Sequence, residues 1–528
     1  MGAGPLPVSI VSLNGEGIHM SMIRSTAGGP MPGPRPSSDG WTKSMVLTTL
    51  LLALTLEAVA IGAIMISVAL PSILEEFPTD QGGWLPSAYY LAGAVAAPLL
   101  GKCADLYGKK RILIITMAIS GVGTVICVLA PTFGLLIVGR VFQGVILATL
   151  SLTYSLIRDS FPPKPAAFAA SLTVTGMGFF GIATPILIGW LIAQFGWRGM
   201  FMFDVIWTFG MLLLVAVFVP ESPLRKKARP DAIGAFLLAF GVAGMLIYVS
   251  LGRSYGWGSI LALSFLIGGA ALFAAALIRS RRVAEPIINV SLFARRAVIF
   301  AAVLGGVGYA MSATIGQLIP LLALTRREDG VTYGLGLSTV QYAQIETPKA
   351  LMAALAGFVL GWLVARGRSP RMFMVLGMVL WGTSALLLAT TNDTQLLLTT
   401  GALVAGLAGG MVNASLPNVV IQASPAGDQA SVAGTVQLVQ TGLGAIAPVV
   451  MFTLMAPYIG QTASGGIVYG EEGFHIWLYG SAGLIAILLL LAGTVWRPRP
   501  GEVQTLEQQA ATAAAKARTE KELVEEHD

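Results

Sequence analysis

The sequence predicts an all-α membrane protein of fourteen transmembrane helices, arranged as two six-helix bundles with two more helices inserted between them. Three observations carry this. The 528 residues are 55% hydrophobic and 11% charged, less than half the roughly 25% charged content of soluble domains. Apolar runs near twenty residues recur along the chain, each long enough to cross a bilayer. A basic turn led by glycine also occurs twice, as "GKCADLYGKKRILI" after the second run and "GWLVARGRSPRMFM" after the tenth, which is the mark of a repeated bundle.

The elements follow in order. Residues 1–44, rich in Gly, Pro and Ser, read as a disordered cytoplasmic tail and not as a cleaved signal. The first bundle occupies 45–219, with apolar runs at 45–70, 84–100, 112–130, 133–157, 166–193 and 200–219. Cytoplasmic linkers and the two inserted spans, 232–251 and 259–278, fill 220–297. The second bundle, 298–495, carries runs at 298–324, 337–364, 372–389, 396–421, 430–455 and 476–495. Residues 496–528 form a polar, alanine-rich cytoplasmic tail. Each run is expected to be helical, because lipid offers no partner to a free backbone group.

Cation placement sets the orientation. Of the 32 Lys and Arg, 26 fall in the tails and the loops on one side, and four fall opposite: Arg198, Arg253, Arg326 and Arg327. The positive-inside rule then puts both termini in the cytoplasm. The net charge of +6 is thus a topology signal, and no nucleic-acid partner is expected. Cys103 and Cys127 flank opposite ends of one span, too far apart for a disulfide. No glycine-lysine nucleotide loop occurs, and His19, His475 and His527 form no metal cluster. An enzyme, a cofactor and a metal are therefore not expected.

The remaining cations, Arg140 and Lys349, lie inside spans. Intramembrane charge costs about 3 kcal/mol or more, so it marks function or a firm structural tie. Glu57 sits near the middle of the first span. A carboxyl group that is neutral when buried and charged when wetted can carry a proton. Glu57 is either that carrier, with Arg140 as its partner, or a structural acid, and Arg140 is either that partner or an anchor for backbone carbonyls. Glu346 and Lys349, three apart, share a helix face and either pair or line a cavity. Asp204, Asn413, Gln437 and Gln440 are weaker candidates for cavity walls. Walls rich in Met, Phe, Leu and Gly suit a small hydrophobic or amphipathic substrate.

The first basic turn holds Gly101, Asp105, Gly108, Lys109 and Arg111. The glycines allow close helix contact and a tight turn, and the acid can meet nearby cations. The cluster is either a conformational latch or a plain cytoplasmic loop. This stretch resembles the loop signature of the major facilitator superfamily. "RVFQGVILA" (Arg140 to Ala148) resembles that family's fourth-span motif, and "FGWRGMFMFDV" (Phe195 to Val205) the segment before its sixth span. "SVALPSI" (Ser67 to Ile73) is similar to the end of span one in the family's fourteen-span drug:proton antiporters, and the likeness covers about residues 45–495.

The resemblance implies the major facilitator fold, alternating access and multidrug efflux driven by protons as the coupling ion. It also implies a multi-pass protein of a bacterial inner (plasma) membrane, working as a monomer. Two departures stand out. The antiporter subgroup has an acid nine residues before the span-one proline, where this chain has Gly62. "GIATPILIG" keeps Gly181, Pro185 and Gly189 of the span-five packing motif but has Thr184 and Ile188 where the motif has glycine. The other readings are an exporter of an endogenous lipid or secreted metabolite, and a non-transporting receptor or scaffold. Costly charges inside spans argue against the scaffold.

Overall fold

A computed structural model describes residues 41–222, 231–283, 295–326, 333–390, 394–423, 429–461 and 467–496. The expectations for the tails at 1–40 and 497–528 lie outside the described residues. The first part of the chain forms α1 (Lys43–Glu76), α2 (Trp84–Tyr107), α3 (Lys109–Leu129), α4 (Phe133–Gly144), α5 (Thr149–Ser160) and α6 (Pro163–Phe218). A hairpin of α7 (Ala232–Tyr255) and α8 (Ile260–Ser280) follows. Then come α9 (Arg296–Leu324), α10 (Thr339–Ala365), α11 (Pro370–Thr390), α12 (Gln395–Ala423), α13 (Gln429–Met455) and α14 (Glu471–Thr494).

Each apolar run falls on a helix, with two local differences. The fourth run is split into α4 and α5 by a 3₁₀ turn, Val145–Ala148. The fifth and sixth runs form one helical element, α6, bent at Gly196, whose φ of 68° suits glycine. Among the described residues, eleven helices are long and apolar enough to cross a membrane. Side-chain caps explain several starts. Thr42 accepts from Met45 N at 3.2 Å, Asp231 from Gly234 N at 2.9 Å, and Ser338 forms a reciprocal capping box with Gln341. Within the all-α fold, a short β-hairpin, β1 (Ile459–Gln461) paired antiparallel with β2 (Ile467–Tyr469), precedes α14. Gly470 N donating to Tyr458 O closes it.

The two groups of helices meet through matched pairs: α1 against α9, α2 against α13, and α6 against α10. The α7–α8 hairpin touches α2 and α13, packing Leu238 and Ala276 with Ala94 and Leu438. Core packing shows where the groups join. Residues of the first group remote from the Gly101–Arg111 turn, such as Met65, Leu70, Ile73, Trp197 and Phe201, share one core with the second group. Residues on the turn side, such as Leu52, Leu113, Met117, Leu152 and Val215, form a separate core. Among the described residues, that core meets the second group only at Tyr309, Ala313 and Ala445. The bundles are thus fused on the far side and part toward the basic turn.

Gly189 belongs to the far-side closure. Its carbonyl accepts from Thr339 Oγ1 at 3.0 Å, and a Cβ there would lie 2.8 Å from the Thr339 carbonyl. Pro185, one helical turn earlier, is buried. The surroundings of Gly181 lie outside the described residues. At Gly101 a Cβ would meet nothing within 4 Å, so the expected close contact there is absent. The physical reason is the parting of the bundles on this side.

Candidate functional site

Arg140 on α4 is 1% exposed, so its donors must be met inside the bundle. Its Nε donates to Leu85 O at 3.1 Å. Its Nη1 donates to Gly62 O at 3.0 Å and to Gln143 Oε1 at 2.5 Å, and its guanidinium lies 4.3 Å from the centre of the Tyr89 ring. Gln143 is three residues along the same face, and its Nε2 donates to Asp204 Oδ2 at 2.8 Å. Thr124 Oγ1 donates to that oxygen at 3.0 Å, and Thr208 Oγ1 to Asp204 Oδ1 at 3.4 Å. One side-chain amide therefore joins a buried cation to a buried acid.

This corrects two expectations. Asp204 is not a cavity-wall residue: it is 2% exposed, about two turns past the Gly196 bend and inside the bundle. Arg140 does not bond to Glu57. Glu57 is 1% exposed, and neither carboxylate oxygen has a hydrogen-bond partner among the described residues. At Gly62, the position where the resemblance noted above would place an acid, the backbone carbonyl meets Arg140 instead. A Cβ at Gly62 would lie 2.9 Å from the Tyr89 hydroxyl, so the site is filled by Tyr89.

The network reaches the junction of the bundles through aromatic rings. Tyr89 and Tyr90 stand edge to face at 5.5 Å, as do Tyr90 and Tyr309. Tyr90 lines a cavity of about 190 Å³ between α1, α2, α9 and α10. Its polar wall includes Ser67, Gln317, Tyr342, Glu346 and Lys349, and its apolar wall Ile64, Val68 and Pro86. Glu346 Oε1 accepts from Lys349 Nζ at 2.7 Å, and Oε2 accepts from the Tyr342 hydroxyl at 2.8 Å. The two sequence alternatives for Glu346 and Lys349 hold together: they pair, and they line the cavity. Close approach of α12 sets α10 in place, since a Cβ on Gly406 would lie 2.2 Å from the Lys349 carbonyl.

Asn413, Gln437 and Gln440 do not line this cavity. Asn413 and Gln437 lie on exposed faces of α12 and α13, and Gln440 is 7% exposed. Their helices present other faces to the junction.

The basic turn is tied within its own bundle. Gly108, with φ of 107°, ends α2 and starts α3. The bare N-terminus of α3 is capped by Glu221 from beyond α6, which accepts from Lys110 N at 2.9 Å and Arg111 N at 3.2 Å. The Arg111 side chain is exposed. Lys109, 2% exposed, is bonded to Asp159 at the end of α5, while Asp105 stands 3.7 Å away and a third exposed. The acid that holds Lys109 is Asp159, which the sequence reading missed. Removing one partner of a buried ion pair costs about 3–5 kcal/mol. Asp159→Ala should lower the thermal midpoint of the purified protein well below that of Asp105→Asn. Equal shifts, or a larger one for Asp105→Asn, would reverse this assignment.

Comparison with known proteins adds four findings. The family model described as Major Facilitator Superfamily matches residues 50–448. An uncharacterised MFS-type transporter of Mycobacterium tuberculosis (strain ATCC 25618 / H37Rv) is 27% identical over 371 residues, 70% of this chain and 52% of that protein. The chain thus spans about half the length of that relative. The multidrug resistance protein B homolog of Mycobacterium tuberculosis (strain CDC 1551 / Oshkosh) is 28% identical over 400 residues, 74% of this chain and 72% of that protein. Among solved structures, a POT family transporter in complex with 5-aminolevulinic acid aligns with a TM-score of 0.63 at 12% identity. That alignment covers 88% of this chain and 99% of that one, and it is a likeness of fold.

Proposed function

We propose that this chain, which belongs to the Major Facilitator Superfamily and is a membrane transporter rather than an enzyme, exports small hydrophobic or amphipathic compounds in exchange for protons. The observation that carries the reading is the polar chain from Asp204 through Gln143 to Arg140, stacked on Tyr89 and so on to Tyr90 in the cavity wall. It gives a buried acid in one bundle a physical route to a cavity shared by both. The multidrug-resistance name of a relative supports efflux, and the fourteen apolar runs support the fourteen-span drug:proton antiporter subgroup.

Two carboxyl groups divide the work. Asp204, met by three donors, serves as the fixed counter-charge of Arg140. Glu57, without a partner among the described residues, serves as the proton carrier: an unpaired buried anion is too costly to persist, so this conformation is the proton-loaded one. The protein works as a monomer in a bacterial inner membrane with both termini in the cytoplasm. The described conformation, parted toward the basic turn, then opens inward, and closing that side while parting the far side exposes the cavity outward.

The test uses proteoliposomes and the neutral fluorophore N-phenyl-1-naphthylamine. An imposed proton gradient should drive the probe against its own gradient, and a protonophore should stop it. Probe movement indifferent to the pH gradient would end the proton-coupled reading.

Orientation has its own check. In a background with Cys103 and Cys127 replaced, Glu472→Cys at the start of α14 should be labelled by an impermeant thiol reagent added outside whole cells. Arg368→Cys, between α10 and α11, should be labelled only after the membrane is opened. Both side chains are exposed. The opposite pattern would invert the topology and the direction of transport.

A further inference from the structure

The cavity between the bundles has an unequal supply of donors and acceptors. Lys349 carries three N–H donors, and one is committed to Glu346 Oε1. Glu346 has a donor on each oxygen, from Lys349 and from the Tyr342 hydroxyl. Among the described residues, no other carboxylate and no other cation lines the cavity. Gln317, 1% exposed, commits its Nε2 to Ala313 O at 2.9 Å, and its Oε1 has no partner among the described residues. The wall is thus prepared for a polar group as well as for an apolar body.

We infer that the cavity takes an amphiphile with a small apolar body and one anionic headgroup of carboxylate type, bound through Lys349. This deepens the exporter reading, on which it rests, by naming the headgroup. An anion completes the donors of a compact ammonium with charge-assisted bonds. A cationic headgroup would have to displace Lys349 from Glu346 while facing that same ammonium three residues away. Size narrows the body. The volume of about 190 Å³ is below the roughly 300–1,000 Å³ of drug-sized pockets, so two fused rings suit it better than a large polycycle. Gln317 lies in the same wall.

Three probes with one ring system test this: 1-naphthoate, 1-naphthylmethanol and 1-naphthylmethylammonium. Their saturable binding to the purified full-length protein in nanodiscs is measured by equilibrium dialysis, without any gradient. Wild type should bind the anion about tenfold or more tighter than the alcohol, and the cation weakest. Lys349→Gln should bring the ratio of anion to alcohol close to one, and Lys349→Arg should keep most of it. Equal binding of the three probes by wild type, tighter binding of the cation, or an unchanged ratio in Lys349→Gln would overturn the assignment. The wild-type comparison needs no variant, so a misfolded mutant cannot hide the answer. Failure of the two readings is separable. Gradient-driven movement of the neutral fluorophore with no anion preference in dialysis sinks this inference alone. An anion preference that depends on Lys349, with no proton-driven movement, supports this site and sinks the exporter reading.

Discussion

Arg140→Lys should stop proton-driven export, slowing it by about a hundredfold, which corresponds to about 2.7 kcal/mol in the limiting barrier. The charge is kept, so the loss comes from shape. The guanidinium meets Leu85 O, Gly62 O and Gln143 Oε1 from two nitrogens and lies over the Tyr89 ring, 4.3 Å from its centre. An ammonium is a compact point charge on a flexible stem and cannot reproduce that planar fork. With Gln143 no longer held on its Oε1, its Nε2 loses the aim that delivers it to Asp204. The check is proteoliposome transport beside a thermal midpoint. A Lys variant that folds and exports at the wild-type rate would show that the network only holds the bundle together.

Glu57→Gln should retain probe binding and abolish uphill export, with exchange of probe down its own gradient still present. The amide mimics the protonated acid, which is the form required by a buried group without a partner among the described residues. A transporter locked in that form can still cycle with cargo but has no proton to release. Asp204→Asn should behave differently. It keeps the shape of the side chain but removes the counter-charge linked to Arg140 through Gln143, so it should lower stability as well as transport. If Glu57→Gln still concentrates probe against its gradient, Glu57 is structural and Asp204 or Glu346 takes the carrier role.

The helices were legible because lipid forces every apolar run to satisfy its own backbone. That constraint acts locally, and it put each apolar run on a helix, although the fourth run is split into α4 and α5 and the fifth and sixth join in α6. The basic turn and the span-four Arg-Gln-Gly were legible for a similar reason, since their spacing along one helix or turn fixes their face. What one sequence does not carry is which helix stands opposite. Asp204, at the start of the sixth apolar run, read only as a weak candidate for a cavity wall, but α6 bends at Gly196 and carries Asp204 into the bundle. Thr124 and Thr208, small polar residues on otherwise apolar helices, were the signal that something charged lay between them. Asp159 and Glu221 were missed because their partners, Lys109 and the start of α3, lie fifty and more residues away in sequence. The Glu346–Lys349 pair was readable from its spacing of three, whereas its cavity, shared with Ser67, Tyr90 and Gln317, exists only where two bundles meet.

The most direct measurement of the central claim is the pH inside proteoliposomes as cargo moves. Vesicles loaded with a pH-sensitive dye carry the purified transporter and no imposed proton gradient, and N-phenyl-1-naphthylamine is then supplied on one side. Protons should move opposite to the probe in wild type. In Glu57→Gln the lumenal pH should stay flat while probe still equilibrates. Probe transport by wild type with no change in lumenal pH would contradict the account.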